Sequence, residues 1–256
     1  VHRGLASPSL LSTYSWERQP VGYSIVSRAN QAFRDHFRIW ESLGMLQKEV
    51  AARQKTLEVL KAPTPEGQKR RAELQKAILH TCHEFHGLGI EMGQRYTGSG
   101  IYTKDESHAR PDRTTDDEVL YYEPSTYPGC RLPHVWLNKA VPGKLVSTID
   151  LAGHGAFTLI TGIGGDAWKV AADSVARILG VPLQAHSIGF RQDWEDTYFD
   201  WSRLRGVEES GAVLARPDRF VAWRAFEVAG DSGACEAKLL TVMRSILGIS
   251  RAANGV

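Results

Sequence analysis

His80, Cys82, His83, Glu84 and His86 fall within the stretch HTCHEFH, and imidazole, thiolate and carboxylate groups are what zinc binds. The spacing argues against a metal. On a helix His80 and His83 share a face, His86 lies further round and Cys82 points elsewhere, so these read as helix-end histidines facing solvent or the main body. Gly162, Gly164 and Gly165 sit between an apolar run and an amphipathic one, the context of a nucleotide-binding turn. They are not spaced as GxGxxG, and no acidic residue ends the next strand, so an ordinary strand-to-helix turn is expected. The cysteines Cys82, Cys130 and Cys235 are odd in number, far apart and without any CxxC, which leaves neither a disulfide framework nor a dithiol for exchange. A phosphate loop, a GxSxG elbow and an HExxH pair are missing from the sequence. No catalytic, cofactor-binding or metal-binding residue is therefore assigned.

Single residues with chemical potential remain. Arg131 and His134, among Pro128, Gly129 and Pro133, lie on a stiff loop that can offer a cation and a proton carrier to a neighbouring site. The simpler reading is that they hold a domain interface through charge-assisted hydrogen bonds. Asp150 and His154 read as surface ion-pairing or backbone-capping groups, and Trp136, Trp168 and Trp223 as core or interface aromatics.

Charge excludes one class of partner: a net charge of +2 over 256 residues makes no case for nucleic acid. Hydrophobic residues at 42% and charged ones at 23% fit a globular protein able to bury a core. No apolar run reaches membrane-spanning length and the first residues lack the blocks of a signal peptide, so the cytoplasm is the expected compartment.

The elements that must position these residues follow from spacing. Ser7 and Pro8 open a helix that Pro20 should break or kink, and a second helix from about Val21 to Leu43 should turn Ile25, Val26, Ala29, Phe33, Phe37 and Trp40 towards a core. Met45 to Phe85 reads as a charged, solvated helical hairpin interrupted from Pro63 to Gly67. GLGIEMGQRYTGSGIY reads as extended, and DESHARPDRTTDDE as a linker, with a domain boundary near Thr115.

Beyond it, Val146, Thr148 and Ile149 and then Phe157 to Ile163 predict neighbouring strands. Asp166 N-caps a helix carrying Trp168, Val170, Ala171, Val175, Ile178 and Leu179, with Gly180 as C-cap. PLQAHSIG supplies a parallel strand, residues 193–207 a short helix or ordered loop, GAVLARPDRFVAW a hairpin turning at Pro217 and Asp218, and residues 239–248 a closing helix that ends at Gly248. Together these elements suggest an α/β, thioredoxin-like domain over 115–256, lacking CxxC, preceded by a mainly helical segment over 1–114.

TYSWERQPVG, GIEMGQRY, YEPSTYPGCRLPHVWL, STIDLAGHGAFTLITGIGGDAW and AVLARPDRFVAWR, in that order, resemble the C-terminal part of the FAD-dependent aromatic hydroxylases of the 2,4-dichlorophenol 6-monooxygenase and phenol 2-monooxygenase type. The resemblance covers most of the chain apart from about Met45 to Leu79. It implies an enzyme that holds FAD, reduces it with NADPH or NADH, and uses dioxygen to hydroxylate a phenol beside its hydroxyl, with the protein positioning the ring and excluding water. It also implies that residues 1–114 trail the FAD/substrate domain, and that the FAD fingerprint, the middle Asp-Gly motif and the later Gly-Asp motif lie upstream of Val1. The chain alone is thus expected to be inactive and not to hold FAD. Glu17, Arg18 and Pro20 match the family's ERQPV piece, and Pro128, Gly129, Arg131, Pro133 and His134 its PGxRLPH piece; both are expected to mark where this part docks onto the FAD/substrate part. The same reading implies cover of that part and a possible homodimer through apolar surface around the Trp-bearing strands. The other expected role is a non-catalytic thioredoxin-like interaction module. Because Arg219 follows Asp218 where relatives often carry glycine or another small or polar residue, a tight type I′ turn with positive φ there is not expected, and a longer or differently twisted turn is.

Overall fold

The computed structural model describes residues 1–107, 109 and 117–249. Its contacts divide the chain into two compact units, one of Val1–Gln19, Gly93–Arg113 and Glu123–Val256, the other of Pro20–Met92 and Thr114–Tyr122. The boundary expected near Thr115 lies outside the described residues.

The helical unit is built on α1 (Thr13–Ser42), most of which belongs to it, followed by α2 (Val50–Lys61), α3 (Pro65–His80), α4 (Cys82–Phe85) and α5 (Leu88–Met92). Pro20 does not break α1: one helix of 30 residues runs through it. The proline removes a single hydrogen bond, and Trp16, whose carbonyl it would have served, is exposed. The hairpin α2–α3 forms as the charge pattern suggests, with Thr64 capping α3 through its hydroxyl and Pro65 at the first position. Residues 88–92 are helical, not extended.

The expected apolar face of α1 is not buried. Ile25, Val26, Ala29, Phe33 and Phe37 face solvent, while Val21, Ala32 and Asp35 are the buried residues of this stretch. Phe33, Phe37 and Trp40 pack edge to face on one another, with the Phe37 and Trp40 centroids 4.8 Å apart.

Asp35 is the electrostatic centre of this unit. Arg28 and Gln31 each donate to it at 2.9 Å, and His80 lies 3.3 Å away. Burial pushes its carboxyl up, but these donors and the charges of His80 and Arg28 outweigh burial and hold it below the usual carboxylate value. A folded value below the unfolded one means that ionised Asp35 contributes stability above about pH 4, which is lost as pH falls through the folded value. Acid unfolding followed by helical circular dichroism should therefore show stability falling below about pH 4, with Asp35→Asn starting lower and giving a flatter fall.

The α/β unit opens with a 3₁₀ turn at Pro8–Ser12. Later come β1 (Trp136–Asn138), β2 (Val146–Ser147), α6 (Thr148–Leu151), β3 (Phe157–Thr161), α7 (Asp166–Leu179), β4 (Leu183–Ser187), β5 (Glu195–Asp196), α8 (Asp200–Leu204), β6 (Ala212–Ala215), β7 (Val221–Ala225) and α9 (Ser232–Leu247). The main sheet has the order β4-β3-β6-β7, with β3 parallel to β4 from Phe157↔Leu183 to Thr161↔Ser187 and antiparallel to β6. Every residue of β3 is buried, which is why FTLIT reads as a continuous run. Leu159 packs with Trp168, Val175, Leu239 and Met243 beneath α7 and α9. Ile160 points the other way, into a second core with Leu132, Leu137, Ile188 and Trp201.

Two local expectations change. Val146 to Ile149 and Phe157 to Ile163 are not neighbours in one sheet, because β2 pairs with β1 in a small sheet of order β2-β1-β5. Ser147 and Asp150 form a capping box that turns Thr148 into helix despite its β-branched neighbours. Asp166 is the first residue of α7 and not its cap, a place taken by Gly165, while Val170 and Ile178 lie on the exposed side. Gly180 and Gly248 end α7 and α9 with φ of 64° and 66°, as the spacing predicts.

Candidate docking site

Glu17 is 4% exposed, and both its carboxylate oxygens accept from Arg216, at 2.6 and 2.8 Å. Arg216 also donates to Asp218 at 2.6 and 3.1 Å. Burial pushes the guanidinium down, but the two carboxylates outweigh it and hold Arg216 above the usual arginine value, so it stays cationic. The loop between β6 and β7 presents it there. Arg216 N–H donates to Phe220 O at 2.7 Å and Arg219 N–H to Arg216 O at 2.9 Å, closing a three-residue loop, longer than a type I′ turn as expected. Arg219 nonetheless takes a positive φ of 68°, against expectation, and its Nε donates to Ala152 O at 3.1 Å. That anchor helps to offset the left-handed strain.

Arg18 donates to the Tyr96 hydroxyl at 2.6 Å, and the Tyr96 ring stacks on Phe220 with centroids 3.8 Å apart and planes 13° from parallel. The backbone continues the link. Tyr96 N–H donates to Gly129 O at 2.8 Å, Gly129 N–H to Val221 O at 2.7 Å, and Val221 N–H to Cys130 O at 2.8 Å. Pro128, Gly129 and Pro133 are buried, Arg131 lies with its guanidinium carbon 5.2 Å from the Phe220 centroid, and His134 is exposed with Nδ1 2.6 Å from Ser147 Oγ. Thus Glu17, Arg18, Gly129 and Arg131, far apart in sequence, converge on Tyr96, Arg216 and Phe220. Pro20 belongs to the helical unit and His134 to the Ser147–Trp136 corner.

Gly129 has φ of 92°, and a Cβ there would overlap the Tyr96 carbonyl. Gly129→Ala should lower stability by about 2 kcal/mol, read by urea unfolding, because strain and the forced shift of Tyr96 add.

Sequence reasoning missed Tyr96, Arg216 and Phe220; the clue was RPDRF, whose charged residues flank buried strands. It also missed Asp105 and Glu106, the first residues of the supposed linker. Asp105 accepts from Trp223 Nε1 at 2.7 Å and Lys238 at 2.5 Å, and Glu106 takes Arg224 through both oxygens at 2.8 and 2.7 Å. The remaining linker residues lie partly outside the described ones.

The other chemical candidates resolve locally. His80 and His83 pair with Asp35 and Asp117, and no group of three metal-type ligands is placed to hold an ion among the described residues. Gly162 and Gly165 admit close backbone and Thr161 contacts, so packing explains them. Asp150 caps α6, and Trp168 and Trp223 are buried while Trp136 is partly exposed. None of the three cysteines forms a disulfide, Cys130 and Cys235 are buried, and burial pushes the Cys235 thiol up.

Residues 125–250 match the family profile "Aromatic-ring hydroxylase, C-terminal". Over this segment, just under half of the chain, the protein is similar to that family. Over 97% of its length it is 41% identical to 2,4-dichlorophenol 6-monooxygenase of Cupriavidus pinatubonensis, covering 40% of that protein. Over 90% it is 41% identical to phenol 2-monooxygenase of a Pseudomonas strain, covering 37%. The chain also resembles the solved flavin-dependent monooxygenase PieE, in complex with FAD and substrate, with a TM-score of 0.86, 39% identity and coverage of 97% of this chain and 41% of that one. The chain spans about two fifths of the length of these relatives. Among its described residues no helix is long and apolar enough to cross a membrane.

Proposed function

We propose that this chain is the C-terminal portion of a flavin-dependent monooxygenase that hydroxylates phenolic substrates with NAD(P)H and O₂, and that it supplies docking and cover to the FAD/substrate portion. FAD would supply the oxygen-activating chemistry. The Gly-rich fingerprint, the Asp-Gly motif and the Gly-Asp motif that the resemblance leads one to expect at FAD are not matched in this sequence, so no FAD site is assigned to this chain. In this reading residues 1–114 trail the FAD/substrate domain and 115–256 form a thioredoxin-like domain without a redox pair. What supports the second part is the order β4-β3-β6-β7, with a helical crossover between parallel β3 and β4 and a terminal hairpin followed by α9.

The observation that carries the docking role is α1. Trp16, Tyr23, Phe33 and Phe37 are all exposed and fall on one side of the helix, within about 100° at 3.6 residues per turn, in a chain that is about two fifths of its relatives. Rows of exposed aromatics are what a missing body covers. Of the eight motif residues, exposed Arg18, Pro20 and His134 and half-buried Arg131 are proposed to make the docking contacts, with buried Glu17, Pro128, Gly129 and Pro133 holding that surface in shape from within, and exposed Trp136, Phe190 and Phe199 are proposed as surface for self-association.

The test joins this chain to the FAD/substrate portion of the Pseudomonas phenol 2-monooxygenase. The joined protein should retain FAD and oxidise NADPH in the presence of phenol well above the FAD/substrate portion alone. Equal FAD retention and activity with and without this chain would remove the docking role and favour a non-catalytic thioredoxin-like module.

A further inference from the structure

Of the half-buried arginines, Arg28 takes Asp35, Arg205 Glu209, Arg216 Glu17 and Asp218, and Arg224 Glu106, while Arg70 donates to the Ser42 carbonyl and Arg219 to that of Ala152. Arg131 is also half-buried, yet its guanidinium has no hydrogen-bond or carboxylate partner among the described residues, and its Nε is sealed from solvent without an acceptor. Its one compensation is the Phe220 ring, 5.2 Å away. The carboxylates of Glu17 and Asp218 are taken by Arg216.

A partly desolvated cation without an anion is unfavourable, and an incoming carboxylate repays the cost through paired N–H···O bonds. The loop is ready to receive it. Buried Pro128 and Pro133 flank Arg131, and Leu132 N–H donates to Arg219 O at 2.8 Å, so little ordering is needed on binding. We propose that Arg131 anchors the docking surface and receives an Asp or Glu carboxylate of the FAD/substrate portion; this rests on the docking reading above. The guanidinium fork, and not charge alone, sets the fit, so lysine replaces it incompletely.

The experiment uses the joined protein with a protease-cleavable linker, cut after purification so that both halves are already assembled. Dissociation of the halves is followed on dilution. Arg131→Met should speed dissociation at least tenfold and flatten its salt dependence, Arg131→Lys should fall between, and the isolated Arg131→Met chain should melt at the same temperature as the unsubstituted chain or higher. Unchanged dissociation in Arg131→Met overturns the inference and leaves the docking reading standing. A lower melting temperature of the isolated variant marks an internal role and also overturns it. Unsubstituted halves that fall apart at once overturn the docking reading, and this inference with it.

Discussion

Replacing Arg216 with methionine should lower the unfolding free energy of the α/β unit by about 3–5 kcal/mol, as the loss of one partner from a buried ion pair does. Glu17 is almost wholly buried, and among the described residues Arg216 alone holds its side chain. Methionine keeps much of the volume of the arginine stem, so the loss reports an uncompensated carboxylate and not a cavity. Asp218 loses the same partner, but it is 45% exposed and water takes its place at little cost. The double variant Glu17→Gln with Arg216→Met should recover part of the loss, because the stranded group is then neutral. Urea unfolding at neutral pH reads all three proteins. An Arg216→Met chain as stable as the original would mean that the pair does not hold Glu17 in place.

Trp223→Ala should cost a similar amount, about 3–5 kcal/mol, by a different route. Trp223 on β7 is fully buried and meets Trp168 of α7 edge to face, with centroids 5.5 Å apart. Removing the indole empties the core between the sheet and its two covering helices. Trp223→Phe separates the polar contribution from the packing: it forfeits the bond to Asp105 and some volume, and should cost about 1–2 kcal/mol. Asp105 keeps Lys238 and partial access to water, so it is not stranded.

Where the structure follows the sequence, short-range physics decides. Gly180 and Gly248 stop helices because the left-handed residue that closes each is least strained as glycine. The Phe157–Thr161 strand, its crossover helix and the Leu183–Ser187 strand follow from periodicity within one segment. Val146 to Ile149 misled because a Ser147–Asp150 capping box outweighs β-branching at Thr148 and Ile149. Pro20 misled because one lost hydrogen bond does not stop a helix of 30 residues.

The site was half legible. Glu17, Arg18, Gly129 and Arg131 stand out as motif residues, but what joins them does not. Glu17 and Arg216 are 199 residues apart, and nothing local in either segment pairs them. The apolar face of α1 was legible as a face and misread as core, because periodicity tells which side of a helix is apolar and not which molecule covers it. Arg131 reads as an interface residue, and only the structure shows that its guanidinium has no carboxylate partner among the described residues.

The most direct test of the central claim is hydroxyl-radical labelling of Trp16, Tyr23, Phe33 and Phe37, read by mass spectrometry in the isolated chain and in the protein joined to the FAD/substrate portion. All four are exposed here. A docking role predicts strong labelling in the isolated chain and several-fold protection of all four when joined. Equal labelling in the two would contradict it, since a covered face cannot stay open to radicals.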